Sequence, residues 1–214
     1  MRCAVLFYHK NIDAIYKKEW IDRCVLSIAD QTLVEFDVFE MDYGGTEKQY
    51  AKYVRKNYHF FNENLENHIE SMNILISKVF EMGYDVVFNT NLDDFFHHDR
   101  FALQLQAIEE GYQLVSSNWH YIDENNNVTK VFRYHNHDIE HELLIKNHNI
   151  IAHPCVAMHR SFWTDDLYYD NILGREDKIL WQKALQRGKK FKILEEPLLM
   201  YRLHSNQVTK TYKK

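Results

Sequence analysis

The run CAVLFY, from Cys3 to Tyr8, is apolar along its length. A strand with one face in water alternates apolar and polar residues. An unbroken run this short fits a strand covered on both faces, as in a parallel sheet flanked by helices. The segments that follow keep the pattern. Over about residues 18–30, Trp20, Ile21, Cys24, Val25 and Ile28 recur at helical spacing, and EFDVFEMD, Glu35 to Asp42, reads as a second strand ending in an acid and then Gly44-Gly45. Strand, helix, strand is the start of a βαβ fold. A helix is predicted over about residues 65–82, with Ile69, Met72, Ile76, Val79 and Phe80 as its stripe and Gly83 at its C-terminal cap. DVVFNT, Asp85 to Thr90, is the next buried strand, and a helix over about residues 99–110, closed by Gly111, follows it.

The second half reads differently. YQLVSSNWHYI and VTKVFRY, separated by the turn-forming DENNN, predict a hairpin. NIIAHPCVAMH is a further β-like run, Arg175 to Gln186 a helix capped by Gly188, and KKFKILEEPLLMYRLH a closing strand. With 214 residues, 45% of them hydrophobic, two prolines and no Pro- or Gly-rich linker, the chain is expected to form one domain over residues 1–214.

A formal net charge of −5 speaks against nucleic acid as the main partner, because duplex binding needs a basic surface; only the tail VTKTYKK is locally basic. Cys3, Cys24 and Cys155 are too scattered for a disulfide framework or a zinc ribbon and suit a reducing compartment. The start has no secretory pattern, and no run approaches the roughly 20 apolar residues of a membrane span. A cytoplasmic protein, with a peripheral membrane association left open, is the expectation. Asn127-Val128-Thr129 matches a glycosylation sequon and is read as chance.

In open α/β sheets ligands bind beyond the carboxyl ends of the strands. Asp42 and the pair Asp93-Asp94, in NTNLDDFFHHDRF, both stand at such ends, and Glu176-Asp177 opens a later helix. Two adjacent carboxylates repel unless a cation or hydrogen-bond donors compensate, and hard cations such as Mg²⁺ or Mn²⁺ take one or two carboxylates together with phosphate oxygens. The thirteen histidines include His97, His98, His135, His137 and His141, but Cys-x-x-Cys and His-Glu-x-x-His are absent. A surface or acceptor-side loop is favoured over zinc.

The order of motifs resembles the family 2 glycosyltransferases of GT-A fold. CVLSIADQT is similar to the family's early helix, FDVFEMDYGGTE to its nucleotide-binding loop, and NTNLDDFFHHDRF to its Asp-x-Asp-like metal segment. IIAHPCVAMHRSFW is similar to the acceptor-side strand, and GREDKILWQKALQRGKKFKILEEPLLMYRLHSNQVT to the Glu-Asp helix with its Tyr-Arg-x-His-x-Asn ending. The resemblance implies an α/β, GT-A type (Rossmann-like) fold: a central mostly parallel sheet flanked by helices, with a smaller antiparallel acceptor-side portion. About residues 1–100 would bind the nucleotide sugar and about 101–214 the acceptor.

It also implies roles. Asp42 would hold the base of the nucleotide sugar, Tyr43 would stack on it, and Tyr8, Asn91, Asp94 and Arg202 would join the nucleotide-sugar site. Asp93 would ligate Mn²⁺ or Mg²⁺, with His204 reaching the metal or the diphosphate and Arg202 behind it. Asp177 would be the general base, Glu176 would orient it or bind the acceptor, and Trp119 and His153 would lie on the acceptor side. Hairpin packing is the equal alternative for Trp119. The implied reaction is a metal-dependent, inverting transfer of one sugar from a nucleotide-sugar donor, a UDP-sugar by expectation, to a hydroxyl of a glycan, lipid or protein. The sequence departs from the family at Asn91, where an Asp is usual, and at Tyr43 in DYGG, and it lacks the Gln-x-x-Arg-Trp of processive members. A nucleotidyltransferase and an inactive nucleotide-sugar-binding module of the same fold are the alternatives; a nucleotidyltransferase would want a Gly-rich phosphate loop after the first strand, and YHKNIDAIYKK has no glycine.

Overall fold

Runs of apolar residues covered on both faces require a layer above and a layer below, and the chain supplies both. A computed structural model describes residues 1–55, 57–135 and 138–207. His137 and the basic tail from residue 208 onward lie outside the described residues. The strands are β1 (Cys3–His9), β2 (Asp37–Asp42), β3 (Tyr58–Asn62), β4 (Val86–Asn89), β5 (Phe95–Phe96), β6 (Leu114–Ile122), β7 (Val128–Phe132), β8 (Ala157–His159) and β9 (Phe191–Arg202). The α-helices are α1 (Lys18–Ala29), α2 (His68–Glu81), α3 (Arg100–Glu109) and α4 (Glu176–Gln186).

All nine strands share one sheet, in the order β3-β2-β1-β4-β8-β6-β9-β5, with β7 added on β6. Pairing is parallel through β3, β2, β1 and β4, and between β6 and β9. It is antiparallel where β8 joins β4 to β6, where β7 pairs with β6, and where β5 pairs with β9. Alternation along β1 divides the core. Ala4 and Leu6 face a layer that contains the stripe of α2 and Leu180, Trp181 and Ala184 of α4. Cys3, Val5 and Phe7 face Ile21, Cys24 and Ile28 of α1 and Phe101, Ala107 and Ile108 of α3.

Local chemistry sets the helix ends. The Asn67 side chain accepts from the amides of Ile69 and Glu70, the N-cap arrangement that starts α2. Gly83, at φ +85°, takes the left-handed turn that ends it, a conformation a side chain would oppose. Two expectations change. Residues 58–62 form an unforeseen parallel edge strand. In NIIAHPCVAMH only Ala157–His159 is strand, because residues 153–155 make a single 3-10 turn around Pro154, which has no N–H for a ladder. Among the described residues no helix is long and apolar enough to cross a membrane.

Candidate functional site

The parallel strands deliver their last residues to one edge of the sheet. Asp42 ends β2 and is fully buried. Its Oδ1 accepts from the Gly44 amide at 2.9 Å, and its Oδ2 from the Thr46 amide at 2.7 Å and the Thr46 hydroxyl at 2.6 Å. Burial works to raise its pKa, but these donors prevail and hold it below the usual carboxylate value. Three of the roughly four lone-pair directions of the carboxylate are thus used by its own loop, and His9 Nδ1 stands 3.8 Å from its Oδ1. Gly44 has little space: a Cβ there would stand 3.1 Å from Lys10 Cγ and 3.3 Å from Asp42 Oδ1.

Two residues earlier in β2, Glu40 is a carboxylate in the middle of a buried strand. It accepts from the Tyr50 amide (2.7 Å), the Ala51 amide (2.9 Å) and the Tyr58 hydroxyl (2.7 Å), and lies 2.9 Å from His9 Nε2. It therefore ties the segment after Asp42 to the sheet. The sequence reading passed over Glu40 and His9. The signal was present in FDVFEMD, where a charge inside an otherwise apolar strand demands buried partners.

Asp93 and Asp94 follow β4 and are both buried. Asp93 Oδ2 is 3.0 Å from His204 Nε2, while its Oδ1 is buried and has no hydrogen-bond partner among the described residues. His204 is walled by Tyr16 and Trp20, at ring separations of 5.5 and 5.2 Å. Asp94 Oδ1 accepts the Arg202 amide at 2.8 Å; burial first, and then the charge of Asp93, push its carboxyl well above the usual range. The Arg202 guanidinium is buried and spent on scaffolding. Nε donates to the Asp93 carbonyl (2.7 Å), NH1 to the Asp123 carbonyl (3.0 Å) and NH2 to Asn126 Oδ1 (2.7 Å). It stands behind Asp93, with its donors turned to protein. Asn91 is half-buried, its carbonyl receiving Cys24 Sγ and the Asp94 amide.

Tyr8 donates to Asn89 Oδ1 at 2.6 Å, and Asn89 Nδ2 reaches His153 Nε2 at 3.2 Å, which also faces the Tyr169 hydroxyl at 2.9 Å. This network runs from the end of β1 toward the start of α4, where Glu176 and Asp177 stand. Asp177 Oδ2 accepts from Asn149 Nδ2 at 2.9 Å and its Oδ1 from the Lys178 amide at 2.6 Å. Burial, the largest cause, pushes its carboxyl up to about 6. Glu176 Oε1 lies 2.9 Å from His68 Nε2. For Glu176, burial is the largest single influence and acts upward, but the His68 contact, its own backbone amide and the neighbouring histidines together hold the carboxyl below its usual value.

Trp119 is not brought to this edge. It is buried in the α1/α3 layer, stacked on Phe132 with centroids 3.7 Å apart, which is hairpin packing. His97 and His98 are exposed; with Asp99 they bring three ligand atoms within 4.8 Å of one another at the start of α3. Of two surface hollows, one of about 480 Å³ is lined by Trp163 and Tyr168 among others, and one of about 630 Å³ by Leu26, Phe95, His97 and His98 among others.

Solved structures share this architecture. TarS of S. aureus, residues 1–349 in complex with UDP-GlcNAc, superposes with a TM-score of 0.73 at 14% identity over 100% of this chain and 62% of that one. The fold is GT-A. The UDP complex of TarS gives a TM-score of 0.70 at 17% identity over 95% of this chain and 61% of that one. A mannosyltransferase from Pyrobaculum calidifontis in complex with GDP-Man and Mn²⁺ gives 0.59 at 11% over 92% and 55%. The chain thus spans about three fifths of the length of these GT-A structures. No protein-family model matches the sequence, and no curated protein is similar to it.

Proposed function

We propose that the chain transfers a single sugar from a nucleotide-sugar donor to an acceptor hydroxyl, with inversion and with the help of a divalent cation. One contrast supports this reading: Asp93, just after a parallel strand, keeps a buried oxygen that has no hydrogen-bond partner among the described residues, while Asp177, in the later half of the chain, is a carboxylate pushed up to about 6. The two acids are therefore suited to different tasks.

A carboxylate oxygen and an imidazole nitrogen suit Mn²⁺, and an orphaned buried oxygen calls for a cation or a donor, so Asp93 and His204 fit as the residues that would hold the metal. When bound, the ion supplies neutralisation of charge on the departing nucleoside diphosphate. Asp42 would use its remaining lone-pair direction on a base N–H, with Tyr43 against the ring. Tyr8, Asn91 and Asp94 would complete the donor side within about residues 1–100, and Arg202 would keep Asp93 and Asp94 in place. Asp177 would take the proton of the attacking hydroxyl, a role for which a pKa just below neutrality is apt. Attack by that hydroxyl oxygen from the side opposite the diphosphate, which departs as the new glycosidic bond forms, would invert the anomeric centre. TarS carries UDP-GlcNAc or UDP in two of the similar structures, and this favours a UDP-sugar.

The test is a panel of UDP-, GDP- and TDP-sugars with and without Mn²⁺, read by donor hydrolysis and by thermal shift. Metal-dependent binding of at least one donor is expected. Asp93→Ala should abolish that dependence, while Asp177→Asn keeps binding and loses turnover by about 10²–10⁴-fold. No response to any donor in the presence of metal would refute the proposal. Binding without turnover by the native chain would favour the inactive-module alternative that Asn91 suggests.

A further inference from the structure

Two helices begin at the same place. The cap residue of α2, Asn67, donates to Asn171 Oδ1 at 3.1 Å, just ahead of α4. Next to it, His68, the first residue of α2, meets Glu176, the first residue of α4, across the 2.9 Å contact. Their side chains are 22% and 13% exposed, so the pair is well shielded from solvent. A helix N-terminus favours anions, which makes Glu176 well placed and a cationic His68 badly placed unless an anion faces it. Glu176 is that anion. Among the described residues its Oε2 has no hydrogen-bond partner, so the His68 contact is the side-chain contact that fixes the carboxylate.

A second histidine stands nearby, and its bonding removes it as the counter-charge. His153 Nε2 faces an amide NH₂ of Asn89, which can only donate, so this nitrogen offers a lone pair and the ring is neutral. Burial pushes its pKa down to about 4, in agreement with that bonding. The side-chain partner of Glu176 is therefore His68.

We propose that His68 is a positioning residue for the transfer reaction, holding Glu176 as a fixed, charged neighbour of the base Asp177; this rests on the glycosyl-transfer reading above. The groups around the two carboxylates come from every packed element: His68 from α2, His153 from the turn at 153–155, Asn149 from the loop before it, and the Lys178 amide from α4 itself. Tyr169 and Tyr201 lie within electrostatic reach of Asp177. Of these, His68 is the side chain in hydrogen-bond contact with Glu176. Burial does most to raise Asp177, and the Glu176 charge adds to it. Removing the histidine contact would let Glu176 hold a proton at higher pH, so that its titration approaches that of Asp177 and the two acids compete for one proton.

The experiment titrates carboxyl-¹³C-labelled protein by NMR, beside the pH profile of donor turnover, for the native chain, His68→Gln and His68→Lys. In the native chain Glu176 should ionise below Asp177. In His68→Gln the Glu176 midpoint should rise toward that of Asp177, and the acidic limb of kcat should broaden as the two carboxyls titrate together. At pH 7 kcat should fall about tenfold, less than the ~10²–10⁴ that a lost general base costs, with donor KM unchanged. His68→Lys, which keeps a charge, should restore the profile. An unchanged Glu176 midpoint in His68→Gln, or no rescue by lysine, overturns the proposal. If the native chain turns over no nucleotide sugar, the transfer reading fails by itself, and the carboxyl titration still decides whether His68 controls Glu176.

Discussion

Replacing Asp177 by asparagine should make the protein more stable at alkaline pH. The folded state raises this carboxyl from 3.8 to about 6. A raised folded pKa means that the native state binds the proton more tightly than the unfolded chain. The associated stability is fully present below the unfolded value and is lost as pH rises through about 6. At pH 8 the ionised, shielded Asp177 thus costs about 3 kcal/mol, at roughly 1.36 kcal/mol per pK unit. Asparagine carries no such charge. It keeps a carbonyl for one of the two donors, Asn149 Nδ2 or the Lys178 amide, and forfeits the other at about 1 kcal/mol. The net gain is about 2 kcal/mol at pH 8, or roughly 4–8 °C in Tm for a chain of this size. At pH 4 the gain should vanish or reverse. Urea denaturation and thermal melting at the two pH values measure it. An Asn variant that is equally stabilised at both, or destabilised at pH 8, would refute the assignment of Asp177 as a strained base.

Glu40→Ala removes the acceptor for two amides and a tyrosine hydroxyl, and leaves buried donors unmatched; a loss of about 3–5 kcal/mol is expected in urea denaturation. Arg202→Lys cannot reproduce a fork that spans the Asp93 carbonyl, the Asp123 carbonyl and Asn126, so a loss of about 2–3 kcal/mol should accompany weaker Mn²⁺ binding by thermal shift. Trp181→Ala empties the fully buried centre of the α4 layer and should cost about 3–5 kcal/mol by thermal or chemical melting.

The apolar runs at Cys3, Val38 and Val86 announced the parallel half because burial on both faces leaves a signature in composition. β3 escaped because an edge strand is only half-covered, and YHFFN, aromatic but irregular in polarity, shows no clean period. The parallel union of β6 with β9 joins segments far apart in sequence, and no local pattern reports a pairing of that kind. At the site, the acids at strand and helix ends were visible as residue types. What sets Asp93 apart from Asp177 was not, since the two differ in burial and in bonding rather than in kind. His68 went unnoticed because its partner is 108 residues away. Trp119 was visible as a sugar-stacking candidate, yet its neighbour Phe132 takes the ring face.

The bond from Arg202 Nε to the Asp93 carbonyl spans 109 residues. During synthesis the first four parallel strands can emerge and associate long before Arg202 is made, but the backbone at Asp93 must wait for it. The cation affinity proposed for Asp93 should therefore arise late and abruptly as the chain lengthens. In a series of stalled nascent chains, it would serve as a timestamp for the docking of β9.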